Sequence, residues 1–259
     1  ARLRAAGVDV EIGPGAEQSR ELNLGFFSRM LRGTPWVRLK SAASLDGKTA
    51  LDNGTSQWIT SEAARADGHA WRARAGALLT GIGTVMEDNP RLDVRLDNGP
   101  GRSAPQPALV VVDSRLQTPL DARLFIEGRV TILYAAVRDP AREAALAQRG
   151  ATVVFLPGHE TGTEHKVDLR AMLADLARRE VNELHVEAGH KLNGSLLRES
   201  LVDELLIYLA PKLIGQGRDI AHFGPLSELD KALALEFRSS SRVGVDLRIV
   251  ARVAGRDRF

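Results

Sequence analysis

The residues best suited to chemistry in this chain come just after apolar runs, where an α/β protein ends its strands. Gly189-His-Lys-Leu-Asn-Gly-Ser195 follows the run Leu184–Glu187 and precedes a helical stretch from Leu196 to Leu201. A strand, a glycine-bearing turn and a helix N-terminus present free backbone N–H groups to an anion, and the helix macrodipole favours its negative charge. His190 and Lys191 could add donors, so the turn suits the pyrophosphate of a dinucleotide, or it is only structural. Gly81-Ile-Gly83-Thr84 repeats the arrangement after an earlier run, and Asp88 follows before Asn89-Pro90. Thr84 can serve a phosphate or cap the turn. Asp88 can accept from ribose hydroxyls, act as an acid or base, or be a simple turn carboxylate. A third run, Val110–Val112, ends in Asp113-Ser114-Arg115. That hydroxyl and cation could read an adenosine 2′-phosphate, or form only a strand-end turn.

Cations form the second group. Arg65, His69 and Arg72 are spaced i, i+4, i+7 on a helix expected after Thr60, so they share a face, and Arg95 follows soon after. Arginine suits bidentate phosphate binding, although most such stripes are solvated. Lys40 stands at a strand end before the turn Ser44-Leu-Asp-Gly47, able to orient a carbonyl or phosphate or to make a salt bridge. Ser56 and Trp58 follow across Asn53-Gly54. An indole there can cover a flat ring, but its chemistry alone favours packing in the core.

The elements that must position these groups alternate. The runs Trp36–Leu39, Ala77–Thr80, Ala108–Val112, Val130–Tyr134, Thr152–Leu156, Glu183–Glu187 and Leu205–Leu209 are nearly continuous in apolar residues. They therefore read as strands covered on both faces, in a largely parallel sheet. A helix is expected over Pro140–Gln148, with Asp139 as N-cap, Pro140 at its first position and Gly150 just past its end. Another begins at Asp168, with Leu169, Met172, Leu173 and Leu176 as one apolar stripe. Lys231–Arg238 and Arg242–Val253 read as a terminal antiparallel hairpin turning at Ser239–Ser241, which makes the sheet mixed. Gly99, Pro100, Gly101, Pro105 and Pro107 mark an irregular loop. Near the start, Val8–Ile12 alternates like an edge strand and Leu22–Leu31 suggests a short helix. Residues 1–34 thus form a first segment, and 35–259 the main domain.

Composition removes several classes. With 35 basic and 33 acidic residues there is no charge excess to hold nucleic acid, and aromatic and basic residues do not interleave. The chain contains no cysteine, so disulfides and thiolate-bound metals are excluded, and no metal site is expected. No apolar run approaches the roughly 18 residues that span a membrane, and there is no signal-peptide core. A cytoplasmic location fits this balance.

The stretch Lys40–Gly47, with Ser56-Gln-Trp58 and Thr84–Arg95, closely resembles the reductase domain of the bifunctional riboflavin-biosynthesis deaminase–reductase. The resemblance implies a dihydrofolate reductase-like α/β fold, a mixed and mostly parallel sheet flanked by helices, often as a homodimer. It implies NADPH-dependent reduction of the ribosyl side chain of 5-amino-6-(5-phosphoribosylamino)uracil. Carried over residue by residue, Ser56, Arg72, Leu92, Arg95 and Glu187 look like substrate contacts. Ala42, Trp58, Thr84, Asp88, Ser114 and the turn Gly189, His190, Lys191, Leu192, Asn193, Gly194, Ser195 look like the NADP site. His190 and Lys191 depart from the smaller or less charged residues common there. Arg65 and His69 are left as surface, and the proton donor stays open between Asp88, Lys40 and a water. A related pterin or pyrimidine reductase, or a nucleotide-binding module without turnover, remains the alternative. Asn23 and Phe26-Phe27 make residues 1–34 resemble the end of a deaminase domain and its linker, with that domain fused upstream in the native protein. The H-x-E and P-C-x-x-C motifs of a zinc deaminase are missing, so deaminase activity is not expected from this chain.

Overall fold

Runs of Val, Leu and Ile build the parallel body of one sheet. A computed structural model describes residues 2–11, 13–96, 104–158 and 165–259. The strands are β1 (Trp36–Ser44), β2 (Lys48–Ala50), β3 (Ala77–Gly81), β4 (Ala108–Val112), β5 (Thr131–Ala135), β6 (Ala151–Phe155), β7 (Glu183–Val186), β8 (Glu204–Ala210), β9 (Arg218–Asp219), β10 (Leu235–Val243) and β11 (Asp246–Val253). Nine of them form the sheet in the order β10-β11-β8-β1-β7-β3-β4-β5-β6, and β2 pairs with β9 beside it. From β8 to β6 every pairing is parallel, whereas β11 and β10 are antiparallel. This is the mixed, mostly parallel sheet with a C-terminal hairpin that the sequence predicts.

Alternate residues of the central strands feed two cores. Leu79, Val110, Leu184 and Val186 pack with Met172, Leu173 and Leu176 of α7 (Leu169–Arg178) and Leu196 of α8 (His190–Arg198). Leu78, Leu109, Val111 and Leu133 turn to the other face, with Val85 of α5 (Ile82–Asp88) and Leu146 of α6 (Pro140–Gln148). Each fully buried leucine contributes about 1.5–3 kcal/mol, which is why continuous apolar strands demand helices on both sides. Asp139 caps α6 through the Arg142 N–H, and Asp168 caps α7 through the Ala171 N–H, as expected.

The hairpin departs from expectation. Ser239–Ser241 lie inside β10, after a register shift between Phe237 and Ser239, and the turn falls at Gly244-Val245. Gly244 has φ +62°, and a Cβ there would stand 2.8 Å from that of Ala63. Only glycine meets both demands. The first hairpin strand starts at Leu235, and Leu229–Lys231 form a 3₁₀ turn instead. The hairpin has a positional role: Arg248 and the Tyr208 hydroxyl both hold Asp67 on α4 (Glu62–Arg74), at 2.9 Å and 2.5 Å. Asp246 accepts from the Ser61 N–H and hydroxyl at the N-cap of that helix.

The first segment also differs. Val8–Glu11 carry no strand, and Ile12 lies outside the described residues. Short helices α1 (Arg2–Ala5), α2 (Ala16–Leu22) and α3 (Leu24–Phe27) lead into a π-helical turn at Ser28–Arg32 in place of one helix over Leu22–Leu31. Pro105 and Pro107 carry no regular structure, and Gly99, Pro100 and Gly101 lie outside the described residues.

Among the described glycines, Gly194 on α8 meets the closest backbone contact. A Cβ on Gly194 would stand 2.1 Å from the His222 carbonyl oxygen, whereas one on Gly83 of α5 would meet nothing within 4 Å. Gly194→Ala should lower the unfolding free energy by about 1–3 kcal/mol. Gly83→Ala should be neutral or stabilising by up to about 1 kcal/mol. Urea denaturation of both variants checks the contrast.

Candidate active site

At the C-terminal ends of β1, β7 and β3 the sheet opens into a cavity of about 770 Å³. This is where an open parallel sheet leaves space for ligands, because strand ends and helix N-termini meet there. Lys40 comes from the end of β1 and Glu187 from the residue after β7. Arg65, His69 and Arg72 come from the inner face of α4, and Thr84 and Asp88 from α5. Ala42, Ser56, Trp58, Leu92, Arg95, Gly189 and His190 complete the expected residues found on its wall.

Glu187 is the centre of the arrangement. Its two oxygens accept from Arg72 Nε at 2.5 Å and Nη2 at 2.9 Å, Lys40 Nζ stands 3.8 Å away, and buried His185 Nε2 lies 3.5 Å away. Burial raises the carboxyl pKa, but the Arg72 and Lys40 charges with the Arg72 and His185 hydrogen bonds hold it well below the usual carboxylate range. Arg72 spends its remaining nitrogen on the Asp93 carbonyl at 2.9 Å. It is thus no free phosphate clamp, and its guanidinium is committed to the protein. Arg95 is less committed, with 64% of its side chain exposed, Asp93 at 3.7 Å and its guanidinium against His69 Nε2 at 3.2 Å.

Arg65 and His69, expected at the surface, turn into the cavity. Arg65 stacks 4.4 Å above the Trp58 ring. Trp58 itself is 63% exposed, which overturns core packing and leaves an indole open to a ligand. Burial holds the His69 ring below its ordinary pKa, helped by Arg72 and Arg95 and opposed by Glu187 and Asp93. Asp88 is pushed up by burial and by neighbouring Glu87, against the pull of Arg218.

The glycine turn after β7 is shorter than its sequence implies. Helix α8 begins at His190, with Gly189 as N-cap and no side chain capping it. Gly189 sits against Thr84, whose Oγ1 would be 3.7 Å from an added Cβ. Lys191, Leu192, Asn193, Gly194 and Ser195 run back along the helix, away from the cavity wall. Leu192 packs on Gly81, the Asn193 amide donates to the Ile220 carbonyl at 2.8 Å, and the Ser195 hydroxyl to the Lys191 carbonyl at 3.2 Å. Ser114 lies one strand further along, its carbonyl accepting from Ala136 and Val137 at 3.0 Å each.

Sequence reasoning missed Arg218, which reaches the cavity from β9 and pairs with Glu87 at 2.7 Å and 2.9 Å. No local signal marks it, since only the pairing of β2 with β9 brings it there. It also missed Arg129, which donates to the Leu92 and Arg91 carbonyls at 2.9 Å and 3.0 Å. These bonds help hold Leu92 at φ +49°, a strained conformation for a non-glycine residue. Among the described residues no group of three His, Asp or Glu side chains is placed to hold a metal.

Removing one partner of the central ion pair tests this geometry. Arg72→Met should cost roughly 3 kcal/mol or more, because it leaves a buried carboxylate short of partners. The lowered Glu187 pKa stabilises the fold above the unfolded value of about 4.3, and that contribution fades as pH falls toward the folded value. The stability gap between the native chain and Glu187→Gln should therefore stay nearly constant in urea titrations from pH 6 to about pH 4.5 and narrow as pH falls below about 4.

Comparison with known proteins places this geometry. Residues 35–249 match the family model described as the RibD C-terminal domain. The riboflavin biosynthesis protein RibD of Escherichia coli K12 is 37% identical over 95% of this chain and 67% of its own length. That of Aquifex aeolicus is 32% identical over 96% of this chain and 66% of its own. Acinetobacter baumannii RibD superposes with a TM-score of 0.84 at 32% identity, covering 97% of this chain and 67% of that one. The chain thus spans about two thirds of the length of these relatives. With its dihydrofolate reductase-like sheet and a family model that matches residues 35–249, it belongs to the RibD C-terminal domain family.

Proposed function

We propose that the chain is an NADPH-dependent reductase of 5-amino-6-(5-phosphoribosylamino)uracil, converting the ribosyl side chain to ribityl. The observation that carries this is one cavity joining an uncapped helix N-terminus and an open indole to the Lys40–Glu187–Arg72 cluster with Arg95 beside it. Basic side chains outnumber acidic ones on its wall, and the acids are largely consumed. Glu187 is held by Arg72 and Lys40, Glu87 by Arg218, and Asp93 by Arg91. Such a cavity selects anions. The structure of yeast riboflavin biosynthesis reductase Rib7 shares the fold, with a TM-score of 0.63 at 21% identity.

The residues present fit a dinucleotide. Gly189 leaves the N-terminus of α8 unobstructed for a pyrophosphate, beside Thr84. Trp58, Ala42, Asp88 and His190 line the same space, and Ser114 stands at the end of the adjacent strand for the adenosine phosphate. When bound, NADPH would supply the hydride. The chain's own part is alignment and proton supply. Ser56, Leu92 and Glu187 fix the pyrimidine and sugar, Arg95 takes the phosphate, and Arg72 holds the Glu187 carboxylate in place. Asp88, whose raised pKa keeps its proton closer to neutrality than an ordinary aspartate, and Lys40 are the candidate donors for sugar-ring opening.

In this reading residues 1–34 are the end of a deaminase domain and its linker, and the homodimer forms on the open edge strand β10, where Phe237 is 78% exposed. Nicotinamide absorbance should fall on mixing NADPH with the deaminated phosphoribosylaminouracil, and much more slowly with NADH. Cofactor binding without oxidation would favour a reductase of another substrate or a silent nucleotide module. Arg95→Ala should raise KM for the phosphorylated substrate about tenfold or more, the cost of lost charge-assisted hydrogen bonds, and leave NADPH affinity intact. Gly189→Val should do the reverse.

A further inference from the structure

The imidazole of His69 is faced by hydrogen-bond donors at both nitrogens. The Arg95 backbone N–H points at Nδ1 at 3.2 Å, and the Arg95 guanidinium lies at Nε2, with Nη2 at 3.2 Å and Nε at 3.4 Å. A neutral imidazole has one lone pair to give, so only one of these approaches can be a good hydrogen bond. A protonated ring would set donor against donor at both ends. The contact is therefore a holding arrangement, and an anion entering between ring and guanidinium would satisfy both.

The surroundings leave this role to His69. Arg72, one turn further along α4, is engaged by Glu187 and the Asp93 carbonyl. Arg65, one turn earlier, donates to the Thr60 carbonyl at 2.9 Å and covers Trp58. Arg95, whose guanidinium meets His69 and stands 3.7 Å from Asp93, shares the cavity with exposed Arg123, and a phosphate dianion bound by exposed arginines alone is weakly held. We propose that His69 is a second phosphate-binding residue, taking a proton from solvent as the substrate's 5′-phosphate enters and donating it to a phosphate oxygen beside Arg95.

The charges facing the ring are consistent with that sequence. Arg72 from its own helix and Arg95 from the loop after α5 oppose protonation, while Glu187 from the end of β7 and Asp93 from that loop favour it. A dianion beside Arg95 cancels much of the opposition, which ties phosphate binding to proton uptake. Binding of the phosphorylated substrate then weakens as pH rises, in addition to any change in the phosphate itself. The inference rests on the reading of the cavity as a phosphosubstrate site.

The test separates the two claims. Ribose 5-phosphate is titrated into the intact chain, and the His69 ring nitrogens are followed by nitrogen-15 NMR across pH 5–8. The apparent His69 pKa should rise by about one unit or more at saturation. In steady-state assays, His69→Gln, which keeps a neutral polar group of similar reach, should raise KM for the phosphorylated substrate several-fold near pH 6.5 and flatten its pH dependence. The effect should fall on KM more than on kcat. A ring that titrates identically with and without ribose 5-phosphate, or a His69→Gln KM profile matching the native one, overturns the proposal. Turnover without a ring shift would leave the reductase reading standing and reject His69. A ring shift without turnover would do the opposite.

Discussion

A carboxylate in the middle of a parallel sheet must be neutralised by something fixed, and Glu187 imposes that demand on this molecule. It follows the central strand β7, between β1 and β3, so its partners must arrive from neighbouring elements. Lys40 comes along β1, Arg72 comes down from α4, and His185 sits two residues earlier on β7 itself. Arg72 can reach only if α4 lies in one position, and α4 is placed by its Ser61 cap and by Asp67, which Tyr208 of β8 and Arg248 of β11 grip from the sheet face beneath it. The C-terminal hairpin, remote in sequence, thereby sets the geometry of the cavity. A buried ion pair gives little net stability, but breaking it is costly, so these elements are constrained to stay where they are.

A second ionic cluster closes the opposite end of the sheet. Arg38, 3% exposed, binds Glu204 at 2.6 Å and Glu183 at 2.8 Å, and Arg252 reaches Glu204, Glu21 and Asp257. Asp203 accepts from Arg256, Arg32 and the Val37 N–H. Through Glu21 and Arg32 this cluster takes hold of the first segment. Phe27, Phe259 and Trp36 pack beside it, and α3 is so close that a Cβ on Gly25 would stand 2.7 Å from the Asn182 carbonyl oxygen. Whatever its ancestry, the stretch from Leu24 to Arg32 is seated on the main domain.

The strands were legible because burial on both faces leaves little but Val, Leu and Ile, and α6 and α7 because their caps are local. The hairpin turn was not. Ser239–Ser241 carries a stronger turn signal than Val243-Gly-Val-Asp246, and only contact with Ala63 shows why glycine stands at 244. At the site, residue type located the cavity well. Lys40, Thr84, Asp88, Arg95 and Glu187 all line it. Engagement was illegible: a sequence cannot say that Arg72 is already spent on Glu187, that Trp58 faces outward, or that Arg218 arrives from a two-residue strand. Those are long-range outcomes, fixed by pairings separated by more than a hundred residues.

The contacts of α8 with the segment after β9 bear on how the cavity adapts to what enters it. The His222 N–H donates to the His190 carbonyl, Asn193 holds Ile220, and Gly194 admits the His222 backbone against the helix. The wall carrying Arg218 is therefore of one piece with the helix whose N-terminus opens into the cavity. The opposite wall is fastened lightly: Trp58 is held by Lys212 on its carbonyl and Arg65 on its ring, both exposed contacts worth little. Compliance is thus one-sided. A ligand entering this cavity would meet one wall tied to α8 by backbone contacts and, across from it, an indole fastened only by exposed contacts.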